Sequence, residues 1–238
     1  MSDHMILTPA AHRDLRIDIG RGGALGDAVM ASVTVPAEFR QVQDEYPILF
    51  RRNTDRDGYT ALAMFGFETG ENLFLDGDRW DARYIPLGIA VQPFLIGGAA
   101  ADAEIKQVHI DMASPRVGAA EGVRVFDDEG QATPYLDTIA EQLGSLDLGS
   151  RDSAAFFAAL DRYELLEPLT LEITLDDGAV NRMVGFHVID EARLQALDAA
   201  ALGDLHAEGF LMPAFMAVAS IGRMRDLIAR RNRKRGGG

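Results

Sequence analysis

The sequence predicts an α+β protein, with antiparallel strands in its N-terminal half and mainly helices in its C-terminal half. Two observations carry this prediction. Residues 46–127 alternate β-branched and aromatic runs with Asp-Gly punctuation, whereas apolar residues after Pro134 recur at helical spacing. The length, 238 residues with 47% apolar composition, allows a sizeable core without disulfides or metals. There are no cysteines, which excludes disulfides, thiolate zinc sites and cysteine nucleophiles.

The first segment of note is "IDIGRGGALGDAVMA" (17–31). It has the strand, glycine-rich turn and helix order of a dinucleotide loop. However, Leu25 stands where the third glycine of G-x-G-x-x-G belongs, and no complete βαβ unit follows. It reads as a turn. "YPILFRR" and "YTALAMFGF" then flank "NTDRDG", whose Asp57-Gly58 signals a hairpin. "AVQPFLIG" and "AEIKQVHIDMAS" continue the strands across "GAAADA". Val108, Ile110 and Met112 alternate with Gln107, His109 and Asp111, the pattern of a half-buried strand. "DDEG" (127–130) closes the β-rich half, whose strands could curl into a barrel-like sheet.

Thr133 suits an N-cap and Pro134 the first turn of a helix carrying Leu136, Ile139 and Leu143. Ser150 opens a second helix with Phe156, Leu160 and Tyr163. "LTLEITL", "DDG" and "VNRMVGFHVI" form one hairpin, with Leu169, Leu171, Ile173 and Leu175 on one side. Asp190 and Asp198 cap two short helices, the second ending near Gly209. The long terminal helix, about 211–231, is apolar nearly all round until Ile221, so its first half is expected to be buried as a central post. The chain therefore reads as one domain over 1–232, with a β-rich lobe at about 5–127, a helical lobe at about 131–232 and a basic, glycine-ended tail at 233–238.

Charge narrows the function. The formal net charge is −14, yet Arg223 to Arg235 hold seven basic residues and one acid, which leaves −20 on residues 1–222. So acidic a body repels nucleic-acid phosphates. The basic tail reads most simply as cations suited to a frayed helix end. No apolar leader precedes the first strand, and "GFLMPAFMAVASIG" (209–222) is too short to span a bilayer, so a cytoplasmic protein is expected.

No G-x-S-x-G elbow or P-loop occurs. His109 and Asp111, two apart on a strand, with His187 on a later strand, could form a two-histidine, one-carboxylate iron site of an oxygenase. Equally, each histidine suits the polar side of its strand. "DGDRWD" (76–81) has the carboxylate density of a calcium loop, but Trp80 breaks the register and turn chemistry accounts for its aspartates. A third pattern pairs aromatics with prolines: Tyr46-Pro47, Tyr84-Ile85-Pro86 and Pro93-Phe94, with Trp80 near the second. Such residues line a recognition edge or plug the end of a sheet. As a recognition lip, Trp80 and Tyr84 supply apolar, hydrogen-bond-capable contact and Arg83 and Asn72 orient a polar group, with Tyr46 and Gln92 as further ligand-binding candidates.

An ordered set of segments resembles the SapC family of bacterial proteins. They include "EYPILF" (45–50), "GENLFLD" (70–76), "RWDARYIP" (79–86), "QPFLIG" (92–97), "IDMASP" (110–115), "VFDDEGQATPYL" (125–136), "GFHVIDEARLQAL" (185–197) and "ASIGRMRDLIARRNR" (219–233). The resemblance implies association with a bacterial surface layer. It also implies gene neighbours such as TonB-dependent receptors, halogenase-like proteins and cupin-like hydroxylases. It implies no catalytic mechanism, no cofactor and no resident metal. Two departures stand out: Leu87 to Val91 lack the basic residues relatives carry before Pro-Phe, and relatives often lack histidine at positions 109 and 187. The expectation is a non-catalytic accessory protein that recognises a peptide, a sugar-derived ligand or a halogenase-like or cupin-like partner. The alternatives are the iron-dependent oxygenase and a surface-layer component.

Overall fold

The computed structural model describes residues 3–54, 58–97, 106–174 and 180–236. Strands among these are β1 (His4–Ile6), β2 (Arg16–Ile17), β3 (Ala31–Thr34), β4 (Ile48–Arg52), β5 (Tyr59–Met64), β6 (Leu75–Asp76), β7 (Arg79–Trp80), β8 (Phe94–Gly97), β9 (Gln107–Asp111), β10 (Val123–Arg124), β11 (Leu166–Thr174) and β12 (Val180–Ile189). Helices are α1 (Pro9–His12), α2 (Phe39–Val42), α3 (Leu87–Ala90), α4 (Pro134–Arg162), α5 (Glu191–Gln195), α6 (Ala199–Ala207), α7 (Leu211–Ser220) and α8 (Met224–Gly236). The fold is α+β, as the periodicity requires. Among the described residues its sheets are open, with no closed barrel. The turns expected at 55–57, 98–105 and 175–179 lie outside the described residues.

By contacts the chain forms two compact units, each assembled from separate stretches. The first comprises residues 1–28, 75–80 and 87–148. It holds the antiparallel sheet β1-β9-β8, the pair β10-β2 and the hairpin β6-β7. Ile17, Phe94, Ile110, Val125, Leu136 and Ile139 form its core. Ile110 is buried between half-exposed His109 and Asp111, so the period-two pattern of β9 does sort its faces. The β6-β7 turn is tight: Asp76 pairs with Arg79 across Gly77, whose φ of 63° suits glycine. At 127–130, Asp127 accepts from the backbone N–H groups of Glu129 and Gln131, which confirms a turn.

The second unit comprises residues 29–74, 81–86 and 149–238. Its five-stranded antiparallel sheet has the order β11-β12-β4-β5-β3. The C-terminal hairpin is therefore not isolated, since β12 pairs with β4 and joins strands from opposite ends of the chain. Phe39, Phe50, Phe156, Phe157 and Phe210 meet edge to face in its core.

Three helix readings need correction or refinement. Ser150 does not open a second helix, because α4 runs unbroken over 29 residues. Thr138, Ser145 and Ser153 bond backward within the helix, to the carbonyls of Pro134, Glu141 and Gly149. Gly149 is needed for packing: a Cβ there would come within 2.6 Å of Val35 Cγ2. Asp190 and Asp198 do cap α5 and α6, accepting from the N–H groups of Arg193 and Ala201. The terminal helical run breaks at a 3₁₀ turn, Ile221–Arg223. Its first part is not buried all round, since Met212 and Phe215 are 57% and 50% exposed. Buried Ser220 anchors the inner side of α7 by accepting from the Ile48 N–H at 2.9 Å. No single described helix is long and apolar enough to cross a bilayer.

The basic end is not frayed where it is described. On α8, Arg231 pairs with Glu68 and Glu71, Lys234 donates to the Asn72 carbonyl, and Arg230 pairs with Asp81. Arg230 also lies over the Phe74 ring, 4.2 Å from its centroid. These cations neutralise Glu68, Glu71 and Asp81.

Candidate functional site

Four of the six recognition residues named from sequence, Tyr46, Asn72, Arg83 and Tyr84, belong to the second unit; Trp80 and Gln92 belong to the first. Tyr46 is buried, its ring 4.6 Å from Phe74 and 5.3 Å from Phe65, and its hydroxyl donates to the Tyr84 carbonyl. Tyr84 in turn donates to Glu38 Oε1 at 2.7 Å, and Glu38 Oε2 accepts from Thr34 at 2.7 Å. Burial pushes the Tyr84 phenol well up, and the Glu38 charge pushes the same way. These hydroxyls stitch the 81–86 loop to β3 and to the chain around α2.

Asn72 is buried and braces its own turn, its Oδ1 accepting from the Phe74 N–H. Trp80 is also buried, paired across the hairpin with Leu75. Gln92 precedes a cis Pro93 and lines a cleft of about 480 Å³ with Phe94, Asp111 and Ser114. Arg83 alone of the six points outward, with its Nε bonded to Glu45 and its Nη2 2.6 Å from Asp44.

The residues of the iron alternative are otherwise engaged. His109 lies against Gly97 on the neighbouring strand, where a Cβ would come within 2.9 Å of its Nε2. Asp111 accepts from the N–H groups of Asp3 and Ala113, which hold its carboxyl below the usual range. His187 stands edge-on to Tyr59 at 5.0 Å, and its buried Nδ1 has no hydrogen-bond partner among the described residues. Burial, with Arg52 nearby, pushes its pKa down. Among the described residues no three His, Asp or Glu side chains gather to hold a metal.

Around Arg83 the second unit opens a cleft of about 850 Å³ lined by Arg40, Asp44, Glu45, Tyr84, Ala219 and Arg223, among others. A smaller hollow of about 300 Å³ shares Arg83 and Arg223 and adds Arg230 and Arg233. Helix α2 packs on α7, and exposed Arg40 sits 3.0 Å from Met212 Sδ. The combined lining carries five arginines against Asp44, Glu45 and Asp226, in a chain of net charge −14. Sequence reasoning missed Met212 and Phe215 because an apolar run of ten residues reads as core. Pro213 at the start of that run was the available hint of an exposed first turn.

The glycine-rich turn has a structural purpose. It wraps Arg116, which is 1% exposed and donates to the carbonyls of Asp18 and Gly20 and to Asp27 Oδ1 at 2.7 Å. Asp27 is fully buried and also accepts from the Gly22 N–H. Gly22 and Gly26 have φ of 142° and 92°, so the turn bends through backbone space that only glycine enters cheaply.

Neither the curated proteins nor the solved structures contain a match to this chain. The SapC family model matches residues 7–227, nearly the whole chain, and the protein belongs to the SapC family.

Proposed function

We propose that this SapC protein is a non-catalytic accessory protein that engages a partner protein through the Arg83 cleft and the adjoining face of α7. The observation that carries the reading is the pairing of two half-exposed apolar side chains, Met212 and Phe215, with an arginine-lined cleft. Desolvated apolar anchors beside charged rims are how protein interfaces gain affinity and orientation. Of the ligand classes expected from sequence, a partner protein suits an open cleft better than a small peptide or sugar. The arginine excess selects a partner segment that presents acidic residues beside an apolar stripe. A halogenase-like or cupin-like protein is the partner class implied by the family resemblance.

The test uses purified candidate partners of these two kinds and the full-length chain. Met212→Asp with Phe215→Asp should leave the melting temperature unchanged and weaken partner binding by at least about 100-fold. Leu148→Asp, at a comparably exposed position on α4, should change neither the melting temperature nor partner binding. Wild-type affinity in the double variant would place the interface elsewhere. Concentration-dependent self-association that the double variant abolishes would assign the face to a second copy of the chain instead.

A further inference from the structure

In the first unit two arginines converge on one buried carboxylate. Two guanidiniums, from Arg116 and Arg21, approach the same oxygen, Asp27 Oδ1, at 2.7 Å and 3.6 Å. Two positive charges thus meet one carboxylate. Asp18 braces the same turn, its Oδ1 accepting from the Gly20 N–H. Among the described residues, buried Arg116 Nε makes no hydrogen bond, and buried Arg21 Nη1 has only its 3.6 Å approach to Asp27. A buried donor left unpaired is costly, and a buried net charge more so.

Tyr135 adds a third donor. The residue is half-buried, with its ring 6.1 Å from that of Phe94. Burial pushes this phenol up while Arg116 and Arg21 pull it back, so all three groups are within electrostatic reach of one another. Burial also weakens Arg21's hold on its proton, which nearby Asp27 partly restores.

We propose that Arg21 and Arg116 form a binding site for a small oxyanion, a carboxylate or phosphate group, beside the 20–27 turn. An oxyanion supplies the lone pair that Arg116 Nε lacks and a closer acceptor for Arg21 Nη1. It also adds negative charge where two guanidiniums share one carboxylate oxygen, and guanidiniums suit both oxyanion shapes. Near-complete burial of Arg116 limits the ligand to a free ion or the small end of a larger molecule. Arg21, with 19% of its side chain exposed, is the member that meets the entering group. The site stands apart from the partner reading of the second unit and does not depend on it.

The test titrates the full-length protein with sodium phosphate, sulfate and acetate at constant ionic strength, with chloride as the reference. Two signals are followed: the melting temperature and the Nε–H resonance of Arg116. At about one hundred times its Kd, the bound ion should raise the melting temperature by roughly 5 °C. The Arg116 resonance should move along a saturable curve. A response to phosphate and sulfate identifies a tetrahedral group, and a response to acetate identifies a carboxylate. Arg21→Ala should stay folded and lose the saturable shift, whereas Arg21→Lys should keep part of it. A resonance that none of the three anions moves overturns the proposal. So does an equal thermal shift in wild type and Arg21→Ala.

Discussion

The two units use arginine in opposite ways. In the first, Arg116 is buried in a glycine-rich turn and tied to fully buried Asp27. In the second, Arg83 is 82% exposed in its side chain and pairs at the surface with Asp44 and Glu45. An ion pair out of water must be complete, because either charge left alone has no solvent to turn to. An ion pair in water exchanges one good environment for another and is worth little to stability. So the first arginine is fixed in the scaffold, with only its Nε left for a small anion, and the second stands in solvent where a partner protein can reach it.

The largest expected effect comes from breaking the buried pair. Asp27→Ala should cost about 3–5 kcal/mol, read by urea unfolding, because it strands Arg116 in a dry interior. Replacing both partners with apolar residues of similar volume should recover much of that loss. If Asp27→Ala unfolds at the wild-type midpoint, the first unit's arginine is no more structural than the second's.

A packing test in the second unit comes next. Gly149→Val should cost about 1–3 kcal/mol, because its Cβ meets Val35 at the backbone-near end of that side chain. Unlike Asp27→Ala, this loss should not depend on salt, since no charge is involved.

Much of the fold was legible in the sequence. Strand alternation in β9, the Asp caps of α5 and α6, and the α+β order all follow from local periodicity and side chains that bond their own backbone. What was not legible depends on long-range pairing. Nothing local says that β12 joins β4, or that the 20–26 turn encloses an arginine some ninety residues later. The same limit explains the candidate site. Tyr46 and Tyr84 were picked out for aromatic character, yet their hydroxyls bond partners 38 and 46 positions away in sequence. No pattern within a window of a dozen residues shows that commitment.

The tyrosine network gives a smaller, pH-dependent effect. Tyr46→Phe leaves the Tyr84 carbonyl without its donor and should cost about 1 kcal/mol. The Tyr84 phenol is raised in the folded state, so above pH 10 the folded chain holds a proton that the unfolded chain releases. This contribution is fully present below about pH 10 and is lost as pH rises further. Tyr84→Phe should therefore flatten the alkaline limb of the stability curve, measured by urea midpoints between about pH 9 and 11. A limb as steep as wild type would mean that Tyr84 keeps its ordinary titration.

The smallest effect on stability should come from Arg83→Ala, and it separates the two uses of arginine most cleanly. The side chain is solvated and its partners Asp44 and Glu45 remain in water after its loss, so the melting temperature should not change measurably. Partner binding should respond differently. Removing a rim charge chiefly slows association and reduces its salt dependence, whereas losing Phe215 chiefly speeds dissociation. Association and dissociation rates measured for both variants therefore test the division of labour within the cleft. If Arg83→Ala lowers the melting temperature and leaves both rates alone, its pairs with Asp44 and Glu45 hold the 81–86 loop in place, and recognition must rest on α7 alone.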